Sequence, residues 1–371
     1  MSDSRLYWIG LNLVKGIGAV RLRALLDVFG DVQTAWGASA EALRASGLSQ
    51  KIVQNLVQLR ADISLDQIWE QIQSDDIQVL TWDDDHYPER LREFTNAPPV
   101  LYIRGTLVAA DAWAVAIVGT RRATSYGRQV TDETARTLAQ SGVTIVSGLA
   151  RGIDAVAHQS ALDSGGRTIA VLGSGVDRIY PPEHRDLAQR IIANGAIISD
   201  YPLGTPPEAF NFPPRNRIIS GLSMATVVVE AGLRSGALIT ANFAAEQGRD
   251  VFAVPGHVTA PQSKGPNRLI RDGAHPLLDP KEILEVLEMT MITEHRTARV
   301  AIPGNALEAQ LFEILDLEPV HVDEIRARSN MPIEQVTSTL AIMELKGMVR
   351  QVGGMRYLAV RELDADYVGD H

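Results

Sequence analysis

The chain has 371 residues, of which 45% are hydrophobic and 22% charged, enough for two or three globular domains. It contains no cysteine, which excludes disulfides, thiolate catalysis and Cys-ligated metal, and no apolar run long enough for a helix to span a bilayer. The net charge of −10 argues against wholesale attraction to nucleic acid. Its distribution is uneven: Lys and Arg number 10 against 14 Asp and Glu in residues 1–110, 17 against 18 in 111–289, and 6 against 12 in 305–371. The near-neutral middle places many of its arginines in or beside glycine-rich turns, so a local basic groove on an acidic protein is compatible with these counts. Met1-Ser2-Asp3-Ser4-Arg5 lacks the basic flank and apolar core of a signal peptide, and a cytoplasmic location is the expectation.

Residues 1–75 read as a small helical domain of helix-hairpin-helix or SAM-like kind. Leu11, Leu13, Val14, Leu22, Leu25, Leu26, Val28 and Phe29 recur at helical spacing. Gly16-Ile17-Gly18 between two short helices is either a phosphate-binding hairpin or a plain packing turn, and the packing turn is the more ordinary reading. Residues 76–110 carry a strand at Ile77–Trp82, a turn at Asp83-Asp84-Asp85-His86-Tyr87-Pro88, and a second strand at Val100–Arg104. Three adjacent aspartates invite a metal, but a solvated loop is the simpler expectation.

The core, 76–289, alternates strands and helices and predicts a doubly wound α/β sheet. Val115–Val118 runs into Gly119-Thr120-Arg121-Arg122, Val143–Val146 into Ser147-Gly148-Leu149-Ala150-Arg151-Gly152, and Thr168–Leu172 into Gly173-Ser174-Gly175. Further strands are expected at Ala196–Ser199, Ala225–Glu230 and Asp250–Val254, with a helix from Leu238 to Gln247. Asn211–Arg217 and Lys264–Asn267 read as loops. Residues 290–304 read as a linker. In residues 305–362, helices at Leu307–Leu317, His321–Ser329 and Ile333–Lys346 precede strands Met348–Val352 and Met355–Leu358 around Gly353-Gly354, the topology of a winged helix, with 363–371 a tail. Its third helix offers Glu334, Gln335, Thr337, Ser338, Glu344 and Lys346, a poor set for reading a major groove, so protein docking or packing is the expected role.

Strand-end turns in a parallel sheet align at the carboxyl edge, where phosphate groups meet backbone N–H groups and helix N-termini. Arg121 beside Gly119 can clamp a phosphate. Phe212 beside Arg215 and Arg217 combines a stacking face with cations, as a single-strand groove requires. The structural alternative packs Phe212 under the sheet edge and pairs the arginines with Asp154 or Glu230. Ser147, Asp154 and His158 do not make a convincing hydrolase triad, because Asp154 and His158 lie on one helix face and Ser147 lacks a nucleophile elbow. A hydrogen bond along that face, orienting the Arg151 turn, is expected instead. Gly173-Ser174-Gly175 is only a partial dinucleotide fingerprint.

Taken together, Val118–Arg121, Ser147–Asp154 with Ala157-His158, Gly173–Asp177 with Tyr180-Pro181-Pro182, Asn211–Leu222, Glu230-Ala231 with Ser235–Ala241, and Val254-Pro255-Gly256 resemble the DprA/Smf family of DNA-processing proteins, in the family's order. The flanking helical and winged-helix modules resemble the family's too. The resemblance implies an extended Rossmann-like domain that binds single-stranded DNA without sequence preference, protects it, works as a homodimer through that domain, and passes the strand to the RecA recombinase in natural transformation. It implies no catalytic activity, cofactor or metal. The DNA-phosphate-binding set it implies is Gly119, Thr120, Arg121, Arg122, Ser147, Gly148, Arg151, Gly173, Ser174, Gly175, Phe212, Arg215, Asn216, Arg217, Ser235 and Gly236. Where many relatives continue the Tyr-Pro-Pro turn with asparagine or a basic residue, this chain has Glu183-His184, a departure that bears on any phosphate contact from that turn. The rival is a phosphoribohydrolase of the lysine-decarboxylase-like family. Its Pro-Gly-Gly-x-Gly-Thr string is absent from the corresponding turn, Glu230–Gly236.

Overall fold

The computed structural model describes residues 4–287, 306–315, 320–329, 331–345, 349–351 and 355–359. The expected linker at 290–304, the tail and Gly353-Gly354 lie outside them. The chain divides into two compact units, residues 1–283 and 284–371.

The first unit is built on a sheet of nine strands: β1 (Gln78–Thr81), β2 (Val100–Gly105), β3 (Ala114–Val118), β4 (Thr144–Ser147), β5 (Thr168–Val171), β6 (Gly195–Ser199), β7 (Ala225–Val228), β8 (Asp250–Ala253) and β9 (His275–Pro276). Their order is β1-β2-β6-β5-β4-β3-β7-β8-β9. From β6 to β9 all neighbours are parallel, whereas β2 pairs antiparallel with both β6 and β1. The segment between the helical region and the core therefore extends the sheet. Every residue of β3 through β7 is buried, which is why these strands read as unbroken apolar runs with few polar interruptions.

Six helices precede the sheet: α1 (Arg5–Leu13), α2 (Ala19–Phe29), α3 (Val32–Gly37), α4 (Ala40–Ala45), α5 (Gln50–Asp62) and α6 (Leu65–Ser74). Trp8, Ile9 and Leu11 of α1 share one apolar cluster with Val79 of β1 and Tyr102 of β2, so the helices pack on this end of the sheet. The aspartate run is part of that joint. Asp83 accepts from Trp8 Nε1 at 2.9 Å, and Asp84 pairs with Arg5 and accepts from the Thr81 amide at 2.8 Å. Among the described residues no cluster of His, Asp and Glu is placed to hold a metal ion. At the Gly16–Gly18 turn, the Lys15 and Gly16 carbonyls accept from Asn55 and Arg21.

The remaining helices of this unit are α7 (Glu89–Arg92), α8 (Ser125–Gln140), α9 (Ile153–Asp163), α10 (Arg185–Asn194), α11 (Phe212–Gly221), α12 (Gly236–Glu246), α13 (Lys264–Arg271) and α14 (Lys281–Val286), the last running just past the division. Two of them correct the sequence reading. Asn211–Arg217 and Lys264–Asn267 are not loops but the first turns of α11 and α13. Pro213, Pro214 and Pro266 sit near the helix starts, where the missing N–H breaks no bond.

The second unit contains α15 (Ala306–Ile314), α16 (Val322–Ser329) and α17 (Ile333–Leu345), with β10 (Val320–His321), β12 (Arg356–Ala359) and β11 (Val349–Gln351) forming a sheet in that order. It has its own core of Leu311, Leu315, Ile325, Val336, Leu340 and Met343. This is a winged helix. Among the described residues no helix is long and apolar enough to cross a membrane.

Candidate nucleic-acid interface

Strands β5, β4, β3 and β7 are parallel neighbours, so their carboxyl ends open on one edge. Helices α9, α8 and α12 begin there, after β4, β3 and β7, and their positive ends face the same edge. Thr124 caps α8, its hydroxyl accepting from Gly127 N at 3.1 Å, and Ser235 caps α12, accepting from Ala237 N at 3.3 Å. Gly152 precedes α9 with φ +79°, and a side chain there would collide with the Thr120 carbonyl and the Arg121 backbone. Glycine at this point lets the β4 turn lie directly against the β3 turn.

The edge holds a groove of about 680 Å³ lined by Gly119, Thr120, Arg121 and Arg122 from the β3 turn, Ala150 and Asp154 beside β4, Phe212, Arg215 and Asn216 of α11, and Arg234, Ser235 and Gly236 after β7. Phe212 is half-buried within it. The Arg121 guanidinium lies 5.6 Å from the Phe212 ring centre, that of Arg215 lies 5.8 Å away, and the exposed Tyr180 ring lies at 6.0 Å. An aromatic face with cations on it is a surface on which a base can stack.

The arginines fall into two sets. Arg121, Arg122, Arg151 and Arg234 are exposed. Arg215 is 4% exposed and forms part of the groove floor, donating to the carbonyls of Gly148 and Val171 and to Asn216 Oδ1. Burial pushes its pKa down to about 10, against the Asp154 carboxylate that favours its charge. Asp154 Oδ2 accepts from Gly148 N at 3.2 Å and Ala150 N at 3.3 Å; burial raises its pKa, while Arg215 and these amides hold it down. A buried acid and base thus brace the β4 turn, Arg215 through the Gly148 carbonyl and Asp154 through the Gly148 amide, rather than by the direct pairing the structural alternative expected. Arg217 leaves the groove: it pairs with Asp200 at 2.8 Å. The cause is α11: its inward face carries Arg215, Asn216 and Ile219 into the interior, and Arg217, about 200° round the helix from Arg215, is turned to Asp200 instead.

Ser147 and Ser174 are buried and spend their hydroxyls on the carbonyls of Ile117 and Arg178, at 2.6 and 2.7 Å. Gly148, Gly173 and Gly175 are buried beside them, so these turns shape the floor. Asn216 Nδ2 donates to the Gly236 carbonyl at 3.2 Å, tying α11 to the start of α12. The exposed and half-exposed members of the expected set are Gly119, Thr120, Arg121, Arg122, Arg151, Phe212, Arg217, Ser235 and Gly236, of which Arg217 is turned to Asp200. Ser147, Asp154 and His158 share no hydrogen bond. The expected bond along the helix face is replaced by one from His158 Nδ1 to Thr168 Oγ1 at 2.6 Å.

Three groups outside the expected phosphate-binding set also shape the site. Arg234 lines the groove, and its position in a glycine-rich turn after a buried strand was the available signal. Glu230 is buried and accepts from the Thr124 amide at 2.9 Å, placing a carboxylate at the start of α8. Glu183, noted as a departure, forms an ion pair with Arg151, and both side chains are about half exposed. That hydrogen bond holds the Glu183 carboxyl below its ordinary pKa.

A mostly parallel α/β sheet with a basic, glycine-rich carboxyl edge, preceded by packed helices and followed by a winged helix, defines a Rossmann-like protein. Comparison with known proteins makes this specific. Residues 78–288 match the model of DNA recombination-mediator protein A, and residues 295–355 match the DprA winged helix domain. The chain belongs to the DprA/Smf family. It is 38% identical to Protein Smf of Synechocystis sp. over 96% of this chain and 99% of that one, and 38% identical to Protein Smf of Escherichia coli over 90% and 93%. Among solved structures, DNA processing protein A of Streptococcus pneumoniae superposes with a TM-score of 0.68 at 31% identity, covering 77% of this chain and 98% of that one. DNA processing protein A of Helicobacter pylori, described for its single-stranded DNA binding mode, gives 0.53 at 31% identity, covering 58% and 96%.

Proposed function

We propose that this chain binds single-stranded DNA without sequence preference on the carboxyl edge of its sheet, protects the strand, and hands it to the RecA recombinase during transformation or recombination. One observation carries the DNA reading. Exposed Arg121 lies over the half-buried Phe212 ring, exposed Arg122 and Arg234 line the same groove and exposed Arg151 a hollow beside it, at an edge where several helix N-termini converge. In this reading Phe212 stacks a base, the exposed arginines and turn amides hold phosphates, and the buried Arg215–Asp154 brace keeps the turns in register. No bond is made or broken; the protein is a binder without cofactor. Action as a homodimer through the Rossmann-like domain and delivery to RecA rest on membership of the family; a cytoplasmic site of action and the domain plan of 1–75, 76–289 and 305–362 rest on the sequence pattern.

The test is a titration of the full chain with a single-stranded oligonucleotide over a series of salt concentrations, with duplex as competitor. Strong single-strand binding with a linear loss of log affinity against log salt is expected, at about 0.7 per neutralised phosphate. Equal affinity for duplex overturns the reading.

A further inference from the structure

The carboxyl edge carries basic side chains beyond the groove. Following the sheet order, Arg151 comes after β4, Arg121 and Arg122 after β3, Arg234 after β7, and Lys264 after β8 at the start of α13, which carries Arg268 and Arg271 back from the edge toward the start of the parallel strand β9. Lys264, Arg268 and Arg271 lie on α13 at i, i+4 and i+7, which puts them on one face, with successive positions rising about 6 and about 4.5 Å along the axis. All three are exposed, Arg268 and Arg271 to 58% and 74% of their side-chain surface.

The helix is joined rigidly to the groove wall. Ala231 N donates to the Gln262 carbonyl at 2.7 Å and Gly265 N to the Ala231 carbonyl at 2.9 Å, so the β7 turn that carries Arg234 is latched to the start of α13. Asn267 fastens the same helix to Gly256 through bonds of 3.1 and 2.9 Å. Asp272 lies against the stripe and accepts from Arg268 at 3.3 Å and from Arg271 at 3.1 Å. Exposed ion pairs of this kind are weak, and a phosphate can displace the carboxylate.

We infer that the Lys264–Arg268–Arg271 face of α13 is a second phosphate track, on which a single strand leaving the Phe212 groove past Arg234 is held by its backbone alone. The stripe has no aromatic platform, so it adds length and salt dependence but no base preference. This rests on the groove reading, and the experiment separates the two. Wild type, Lys264→Gln/Arg268→Gln/Arg271→Gln, Asp272→Asn and Arg121→Ala are titrated with single strands of about six and about thirty nucleotides. The triple variant should bind the short strand as wild type does. It should bind the long one about tenfold or more weakly, with the salt slope lowered by roughly two units. Asp272→Asn, which releases two arginines, should strengthen only long-strand binding. Unchanged long-strand affinity and slope in a triple variant with wild-type melting, or no gain from Asp272→Asn, overturns the track; if Arg121→Ala then still weakens both strands, the groove stands alone. Failure of the wild type to bind either length overturns both.

Discussion

Arg121 and Arg215 flank the same aromatic ring, yet their surroundings give them opposite roles. Arg121 is exposed at the start of the β3 turn, while Arg215 is enclosed and spends its donors on carbonyls of neighbouring strands. Arg121→Ala should therefore weaken single-strand binding by about 1.5–3 kcal/mol, the range for a charge-assisted hydrogen bond, and leave the melting temperature unchanged. Arg136→Ala, which removes an exposed partner of Asp132 on α8, is the control. Arg215→Ala should do the reverse first, lowering stability by about 3–5 kcal/mol because the buried Asp154 loses its compensating charge. Thermal melts alongside DNA titrations distinguish the two; a destabilised Arg121→Ala or a stable Arg215→Ala would reverse the assignment. Arg151 is a third case, since the Glu183 carboxylate occupies it where a phosphate could. Glu183→Gln should raise affinity roughly three- to tenfold and steepen the salt slope by about 0.7. An unchanged slope would mean that Arg151 never reaches DNA.

At the scale of elements, α9 carries the clearest pH dependence. Thr168 Oγ1 donates its single proton to the Ile145 carbonyl at 2.7 Å, so it must accept from His158, which places that histidine's proton on Nδ1. His158 Nε2 is left buried without a partner. Burial, then the nearby His184 and Arg215, lowers the His158 pKa to about 3 from 6.5. The folded state thus refuses a proton that the unfolded chain accepts, and stability falls as pH drops from 6.5 toward 3, by of the order of 4–5 kcal/mol in total. In His158→Gln this share of the acid loss should vanish, as read from urea unfolding at pH 7 and pH 4; equal losses in both proteins would refute it. The same element shows what a sequence discloses. Strands β3, β4, β5 and β7 were legible because burial on both faces demands β-branched and apolar runs, and their turns were legible because glycines cluster where backbones approach. Helices α11 and α13 were not, because prolines that punctuate a loop also suit a helix start. The inward turn of Arg215 was suggested only as an alternative. Arginine is almost always exposed, and its partner Asp154 lies far away in sequence, brought near by the parallel crossover.

For the molecule as a whole, the division at Ile283 separates two units that each have their own core. The basic edge belongs entirely to the first. In the second, α17 occupies the position of a DNA-reading helix, but its exposed residues include Glu334, Gln335, Ser338, Ile342 and Glu344, with no lysine or arginine among its described residues. A recognition helix discriminates bases through arginine, lysine, asparagine and glutamine, and needs net positive charge to approach the duplex. Residues 305–371 instead carry 6 basic against 12 acidic side chains, so this unit repels a polyanion at distances within the Debye length. A chain ending at residue 304 keeps the groove, the α13 stripe and the core around Ile169, Val228 and Ile218. It should fold, bind single strands within about threefold of the full chain, a change under about 1 kcal/mol, and show the same salt slope. Any gain should be greatest at low salt, where the acidic unit's repulsion is least screened. A truncated protein with a normal melt that loses nearly all single-strand affinity would make the winged helix a DNA-binding element in its own right, and would require cations other than those of the carboxyl edge to hold the strand.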